Sequence, residues 1–421
     1  MEDTKIPMKR MLSSLAMLLL AVGGMVMTSI VVLFSFQSNS NAHSQVRTTS
    51  TVASSAYKYY TLKDPKGFLL ARAPKGANNQ PLSTPQPLTL LGDGFGLSET
   101  DSISSLKLSP DGRYLAIDGI REYGEEVWIY DTQSMTIAMQ PANVTGNFLH
   151  WFPGGHSFLY RPMLPMGPGA PMDGNGWNPG LWIVDAATGA HKNIDLGMPS
   201  AYLADAAPSP DGSRIVYSTT VGLGTGSDTF LINSDGSGRT HLFHVAGGAQ
   251  SVIGLFAWSP DGKSIAYERL SDSSVPFLPS GLWVMDSQSG QQRRLADADG
   301  GHGYLPVWSP DSRKIAFVAR TNLNDQQADV QAQALQCAIS IVDVASSHSW
   351  LVGSVAQTGM QMNIDPTWTS DSASVTFTAL NAANLVVGGT PRYWSSRIFG
   401  IQSNSQPVPL TPAFLHVVAE G

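Results

Sequence analysis

The sequence predicts an all-β fold: a six-bladed β-propeller, with seven blades as the alternative, behind an N-terminal transmembrane helix. Three observations predict it. A four-residue turn motif returns along the chain, each copy is flanked by alternating apolar residues, and the composition is poor in charge and rich in turn formers. Of 421 residues, 14% are charged and 42% hydrophobic, with 41 glycines and 27 prolines. That balance supplies a large core and many turns, as an all-β repeat protein requires.

The turn is the clearest element. Ser109-Pro110-Asp111-Gly112 recurs as Ser209-Pro210-Asp211-Gly212, Ser259-Pro260-Asp261-Gly262 and Ser309-Pro310-Asp311-Ser312. Two degenerate copies, Phe152-Pro153-Gly154-Gly155 and Thr369-Ser370-Asp371-Ser372, bring the series to six. Asp211, Asp261 and Asp311 stand 50 residues apart, a blade period. Proline presets one dihedral, aspartate bonds its own backbone, and glycine accepts the positive φ of a tight turn.

The flanks supply strands. Three residues after each turn stand Leu115, Phe158, Ile215, Ile265, Ile315 and Val375. Two further on come Ile117, Tyr160, Tyr217, Tyr267, Phe317 and Phe377. A period of two puts each pair on one strand face. Leu108, Trp151, Pro208, Trp258, Trp308 and Trp368 precede the turns, and the recurring tryptophans read as core. Third strands are expected at Val127 to Asp131, Leu181 to Asp185, Leu282 to Asp286 and Ile339 to Asp343. A short fourth strand then completes each blade. Phe68 to Arg72 and Pro87 to Leu91 read as two extra strands, one of which completes the last blade. On this reading the residues after Leu410 are too few to supply the inner strands of a seventh.

Trp258 to Tyr267 fits a Trp-Ser-Pro-Asp-Gly turn followed by an Ile-Ala-Tyr strand throughout, and Trp308 to Phe317 departs only at Ser312. In this the repeat resembles that of the TolB-like β-propeller family. The resemblance covers about Asp101 to Pro412 and implies the propeller fold. The TolB protein carries an α/β domain before its propeller, where this chain has an apolar span and a tether. Propellers of this type also precede the hydrolase domain of prolyl-oligopeptidase-like enzymes, for which a chain ending at Gly421 leaves no room.

Leu12 to Phe36 is an uncharged run of 25 residues, where roughly 20 suffice for a helix to cross a bilayer. Lys5, Lys9 and Arg10 precede it, and Arg47 is the first fixed cation after it. The positive-inside rule then gives a cytoplasmic tail (1–11), a signal-anchor helix (12–36), a flexible tether (37–56) and an extracytoplasmic propeller (57–421). The alternative is a cleaved signal peptide, with Ser40-Asn41-Ala42 as the site and a secreted product. The length of the apolar run favours the anchor, since signal-peptide cores span about 7–15 residues.

Blade topology puts the short Pro-Asp-Gly turns on one face and the second-to-third strand loops on the other. Those loops, Pro162 to Pro179, Thr219 to Asp228, Ser271 to Ser280, Arg320 to Gln336 and Leu380 to Ser395, are long and differ from repeat to repeat. Long ordered loops are often functional, so this face is the expected binding face. Met163, Met166, Met172 and Trp177 suit an adaptable apolar contact, or a lid folded onto the ring. Arg392, Tyr393 and Trp394 form a second contact-prone cluster, and Arg121 and Tyr123 lie in the shorter loop of the first blade.

Several chemistries are excluded or unsupported. A net charge of −7 without a basic stripe argues against nucleic acid. One cysteine, Cys337, allows neither an intramolecular disulfide nor a thiolate metal cluster. No nucleophile elbow, complete phosphate loop or zinc helix occurs. Asp297-Ala298-Asp299-Gly300-Gly301-His302 reads as a solvated turn, and the other histidines, His241 and His244 among them, are scattered. No metal and no cofactor is expected. The function expected is a membrane-anchored extracytoplasmic module that binds a protein or small-molecule ligand at the long-loop face. The alternative is a propeller hydrolase or lyase, whose site residues come from several blades and leave no linear motif.

Overall fold

A computed structural model of the chain describes residues 56–64, 67–76, 82–83, 85–90, 102–121, 124–139, 146–162, 180–194, 202–220, 225–271, 277–299, 304–331, 334–354, 366–380, 394–402, 408–409 and 414–420. The expected anchor helix lies outside these. Among the described residues no helix is long and apolar enough to cross a membrane.

Each turn is built as its residue types require. Ser109 Oγ donates to Asp111 Oδ1 at 2.6 Å, and the same oxygen accepts the Arg113 N–H at 3.1 Å. Ser109 Oγ in turn accepts the Tyr114 N–H at 2.9 Å. Ser209, Ser259, Ser309 and Thr369 repeat the hydroxyl-to-aspartate bond. Gly112, Gly212 and Gly262 close the turns with φ of 73°, 71° and 71°. Ser312 and Ser372 take the same left-handed conformation at 61° and 60°, a strained one for a side chain.

The turns link antiparallel strands. At the N-terminus stand β1 (Tyr57–Asp64), β2 (Gly67–Pro74) and β3 (Gln86–Leu90). Five separate four-stranded sheets follow in chain order. The first holds β4 (Ser102–Leu108), β5 (Tyr114–Arg121), β6 (Gly124–Asp131) and β7 (Thr136–Met139). The second holds β8 (Gly146–Trp151), β9 (Ser157–Pro162), β10 (Leu181–Asp185) and β11 (His191–Ile194). The third holds β12 (Tyr202–Pro208), β13 (Arg214–Thr220), β14 (Gly226–Asn233) and β15 (Thr240–Ala246). The fourth holds β16 (Val252–Trp258), β17 (Ser264–Leu270), β18 (Ser280–Asp286) and β19 (Gln292–Ala298). The fifth holds β20 (Val307–Trp308), β21 (Lys314–Arg320), β22 (Cys337–Asp343) and β23 (Ser349–Ser354), with the short helix α1 (Gln326–Val330) between β21 and β22.

The remaining strands are β24 (Thr367–Trp368), β25 (Ser374–Leu380), β26 (Trp394–Gln402), β27 (Val408–Pro409) and β28 (Phe414–Glu420). They join β1 to β3 in one sheet of order β24-β25-β26-β28-β1-β2-β3, with β27 beside β26. This differs from the sequence reading. The residues after Leu410 do form a full strand, and it pairs with β1 at Tyr60↔Glu420 and Thr61↔Ala419. Pairing across the whole chain leaves no local pattern, which is why it was missed.

The apolar pairs of the second strands are buried, among them Ile215, Tyr217, Ile265, Tyr267 and Ile315, each at 0% exposure. The turn-preceding tryptophans are core and something more. Indole N–H groups of Trp151, Trp258, Trp308 and Trp368 donate to carbonyls of Lys107, Ala207, Ala257 and Val307 at 2.8–3.1 Å. Each bond ties the first strand of one sheet to that of the sheet before it. Pro208 has no such donor. At that seam Arg161 crosses instead, donating to Ala204 O and to Asn147 Oδ1 at 2.8 Å each.

Candidate functional site

The turns and the strands treat their charged groups in opposite ways. At the turn end, carboxylates are held ionised by local donors. The Thr369 hydroxyl beside Asp371, the Ser289 backbone N–H beside Asp286 and the Ser346 hydroxyl beside Asp343 hold these carboxyls below the usual range. Such aspartates are turn-closing devices.

Within the strands the shifts reverse. Burial pushes Asp205 up to about 6 and Glu268 up to about 8, and it also raises Asp118. Asp205 Oδ2 accepts the Phe256 N–H at 3.0 Å, while its buried Oδ1 has no partner. Glu268 Oε2 accepts the Ser280 hydroxyl at 2.5 Å, and the Asp299 charge adds to its upward shift. Asp299 Oδ1 accepts the Cys337 thiol at 2.8 Å. Burial first, then Asp299, keeps that thiol protonated, so Cys337 is no nucleophile in this setting. Carboxyls raised by burial are candidates for a functional site, with desolvation as the stated physical cause.

At the loop end the described residues of the Arg320 to Gln336 loop, 320–331 and 334–336, form a braced strap. The guanidinium of Arg320 is buried and holds it. Nη1 donates to Asp329 Oδ1 at 2.7 Å and to Phe277 O at 2.8 Å, and Nη2 donates to Asp325 O at 2.9 Å. Asp325 Oδ1 caps α1 by accepting the Gln327 N–H at 3.0 Å. Asn322 closes the base, donating to Ala334 O and accepting the Gln336 N–H. The Phe277 N–H donates to Asp329 O, tying the strap to the loop of the fourth sheet. So braced, the strap leaves Leu323 46% and Val330 55% exposed.

The residues expected at the site fare unevenly. Arg121 ends β5 opposite Gly124, and Trp394 opens β26 opposite Val417. Tyr123, Met163, Met166, Met172, Trp177, Arg392 and Tyr393 lie outside the described residues. Asp299 corrects the picture of a solvated turn, since it is 2% exposed and bonded to Cys337. A signal for the charged groups was present in the repeat. Just after the repeated aromatic or aliphatic position stand Asp118, Arg161, Ser218, Glu268 and Val318, all buried. Charge at a position that is small or apolar in sister repeats marks a departure from structural need.

No family model matches the chain. Dipeptidyl-peptidase 5 of Porphyromonas gingivalis is 30% identical over 127 residues, 29% of this chain and 18% of that protein. The match thus spans under a fifth of that relative. Among solved structures, a hypothetical selenium-binding protein from Sulfolobus tokodaii is similar at a TM-score of 0.55 and 10% identity, over 87% of this chain and 93% of that one. Oligogalacturonate lyase in complex with manganese is similar at 0.52 and 14%, over 88% and 89%. TolB from Acinetobacter baumannii matches at 0.44 and 18%, over 70% of this chain and 62% of that one. At these identities the likeness concerns the fold, and the chain is similar in fold to propeller-like proteins.

Proposed function

We propose that this chain is a membrane-anchored extracytoplasmic β-propeller that binds a protein or small-molecule ligand at the loop end of its sheets. The observation that carries the proposal is the Arg320-pinned strap, which holds Leu323 and Val330 out to solvent on a rigid frame. A braced loop with exposed aliphatic side chains loses little entropy on binding. The Leu12 to Phe36 run supports the anchor. Ring closure belongs to the same reading: β28, β1, β2 and β3 form a seventh blade whose first strand comes from the C-terminal segment. The strand order supports this over the six blades expected from the turn count.

Photo-crosslinking in intact cells tests the binding reading. A crosslinking residue at Leu323 or Val330 is expected to trap a defined partner, and one at Ser289 on the turn end is not. Equal capture from both ends argues against a loop-end site.

A second reading is favoured by Asp205 and Glu268, whose raised carboxyls are poised for proton transfer near neutral pH. Under it the chain is a hydrolase or lyase, as the names of the peptidase and lyase relatives suggest. Turnover of dipeptide arylamides or oligogalacturonate that is lost in Glu268→Gln would decide for it.

A further inference from the structure

We infer that Arg269, Trp283 and Arg294 form a binding site for an oxyanion, a carboxylate or phosphate group, on the face of the fourth sheet that meets the third. Three strands bring them together. Trp283 of β18 lies between Tyr267 of β17 and Arg294 of β19, and Gly281 lies between Arg269 and Asp297. Residues opposite one another in a sheet share a face, so these stand on one side. Arg294 and Asp297 are three apart and would point to opposite faces of a regular strand. A bulge between β18 and β19 leaves Leu295 as the extra residue and puts both on this face. Trp283 packs against a core cluster drawn from the third and fourth sheets, with Val216, Phe243 and Tyr267 among its members.

The group is rich in donors and short of acceptors. The Arg269 guanidinium carbon lies 3.6 Å from the centre of a Trp283 ring, a cation stacked on an aromatic face. Arg269 Nη2 donates to Gln292 Oε1 at 2.6 Å, and the Tyr267 hydroxyl donates to the same oxygen at 2.6 Å. Asp297 Oδ1 accepts from Arg294 Nη2. Arg269 Nε and Trp283 Nε1 are left buried without an acceptor, a desolvation cost that an incoming oxygen would relieve. Gly281 makes the room. A Cβ there would lie 2.8 Å from Trp283 Nε1 and 3.4 Å from Arg294 Nε, so indole and guanidinium converge over bare backbone. The Arg294 side chain is 44% exposed, and its rotation opens the cleft while strand pairing holds the backbone.

This chemistry selects an oxyanion. Guanidinium forks match the paired oxygens of carboxylate and phosphate, and an indole N–H is a donor only. Two guanidiniums against the one carboxylate of Asp297 leave a positive charge for the ligand to neutralise. Blade structure does not demand this set. At the position of Arg269 the first, third and fifth sheets carry Gly119, Thr219 and Ala319. At the position of Arg294 the second, third and fifth carry Asn193, His241 and Leu351.

The test is calorimetric titration of inorganic phosphate, and separately of glucuronate, into the untagged full chain in detergent at pH 7.5. Saturable binding of at least one probe is expected, and binding of one alone supports the site and names its oxyanion. Arg294→Gln should weaken it about tenfold or more through loss of a charge-assisted hydrogen bond. Arg294→Lys keeps the charge without the fork and should weaken it less. Trp283→Phe keeps the packing of a ring, removes the N–H and should also weaken binding. Lys263→Gln removes an equal charge at the turn end, from a side chain 80% exposed, and should change nothing. Melting curves without ligand show whether each variant is folded. Absence of saturable binding of both probes by the wild type, or equal weakening by Arg294→Gln and Lys263→Gln, overturns the assignment.

Discussion

Glu268 sits where its side chain can hardly ionise. Burial, with Asp299 adding to it, moves its carboxyl from 4.5 to about 8. The folded chain therefore keeps a proton that the unfolded chain releases, and stability falls as pH rises from about 4.5 to about 8. Each pKa unit is worth about 1.4 kcal/mol, so the effect reaches several kcal/mol in order of magnitude. Glu268→Gln should flatten the decline in Tm between pH 5 and 8, and an unchanged decline would refute the protonated state. His150 works in the opposite sense. Burial lowers it to about 3, so its contribution is lost as pH falls below about 6.5. Ser312 offers a second residue-scale prediction. Its φ of 61° is strained, yet its hydroxyl accepts the Asp261 N–H of the preceding sheet at 3.2 Å. Ser312→Gly trades that bond for relief of strain and should be near neutral. Ser312→Ala keeps the strain and loses the bond, costing about 1 kcal/mol in denaturant unfolding.

At the scale of elements, the strap shows how one buried cation organises a loop. Arg320 serves carbonyls of Phe277, Asn322 and Asp325 and the carboxylate of Asp329. A lysine offers one ammonium where the fork of donors is needed. Arg320→Lys should therefore speed amide exchange across residues 321–336 while β21 and β22 keep their protection. Uniform loss of protection in the fifth sheet would mean that the strap and sheet open together. The sequence marked this loop as long. It did not mark it as ordered, because the bonds that order it link residues whose nearness depends on how the loop folds back. The turns were legible for the opposite reason: the bonds that close a Ser-Pro-Asp-Gly turn on itself lie within five residues.

At the scale of the molecule, the first and last strands share a sheet. Removal of residues 414–421 would expose the pairing edges of β1 and β26, and open edges invite aggregation. The truncated chain should melt at a lower temperature and aggregate sooner. Unchanged melting would show that the β28–β1 pairing adds nothing to the fold. Pairing at such sequence separation is also slow to form, so refolding of the truncated chain, where it folds, should lose its slowest phase.

The sequence alone determined the repeat, the strand pattern around each turn and the all-β class, because those rest on hydrogen bonds and periodicities local to a few residues. It also pointed to an apolar span and to long loops on one face. Only the tertiary structure decided which charges are buried, how Arg320 pins the strap and that the C-terminal strand meets the first. It also decided that two guanidiniums meet one indole. Each of these depends on which distant residues a group meets, and on how much water that meeting removes.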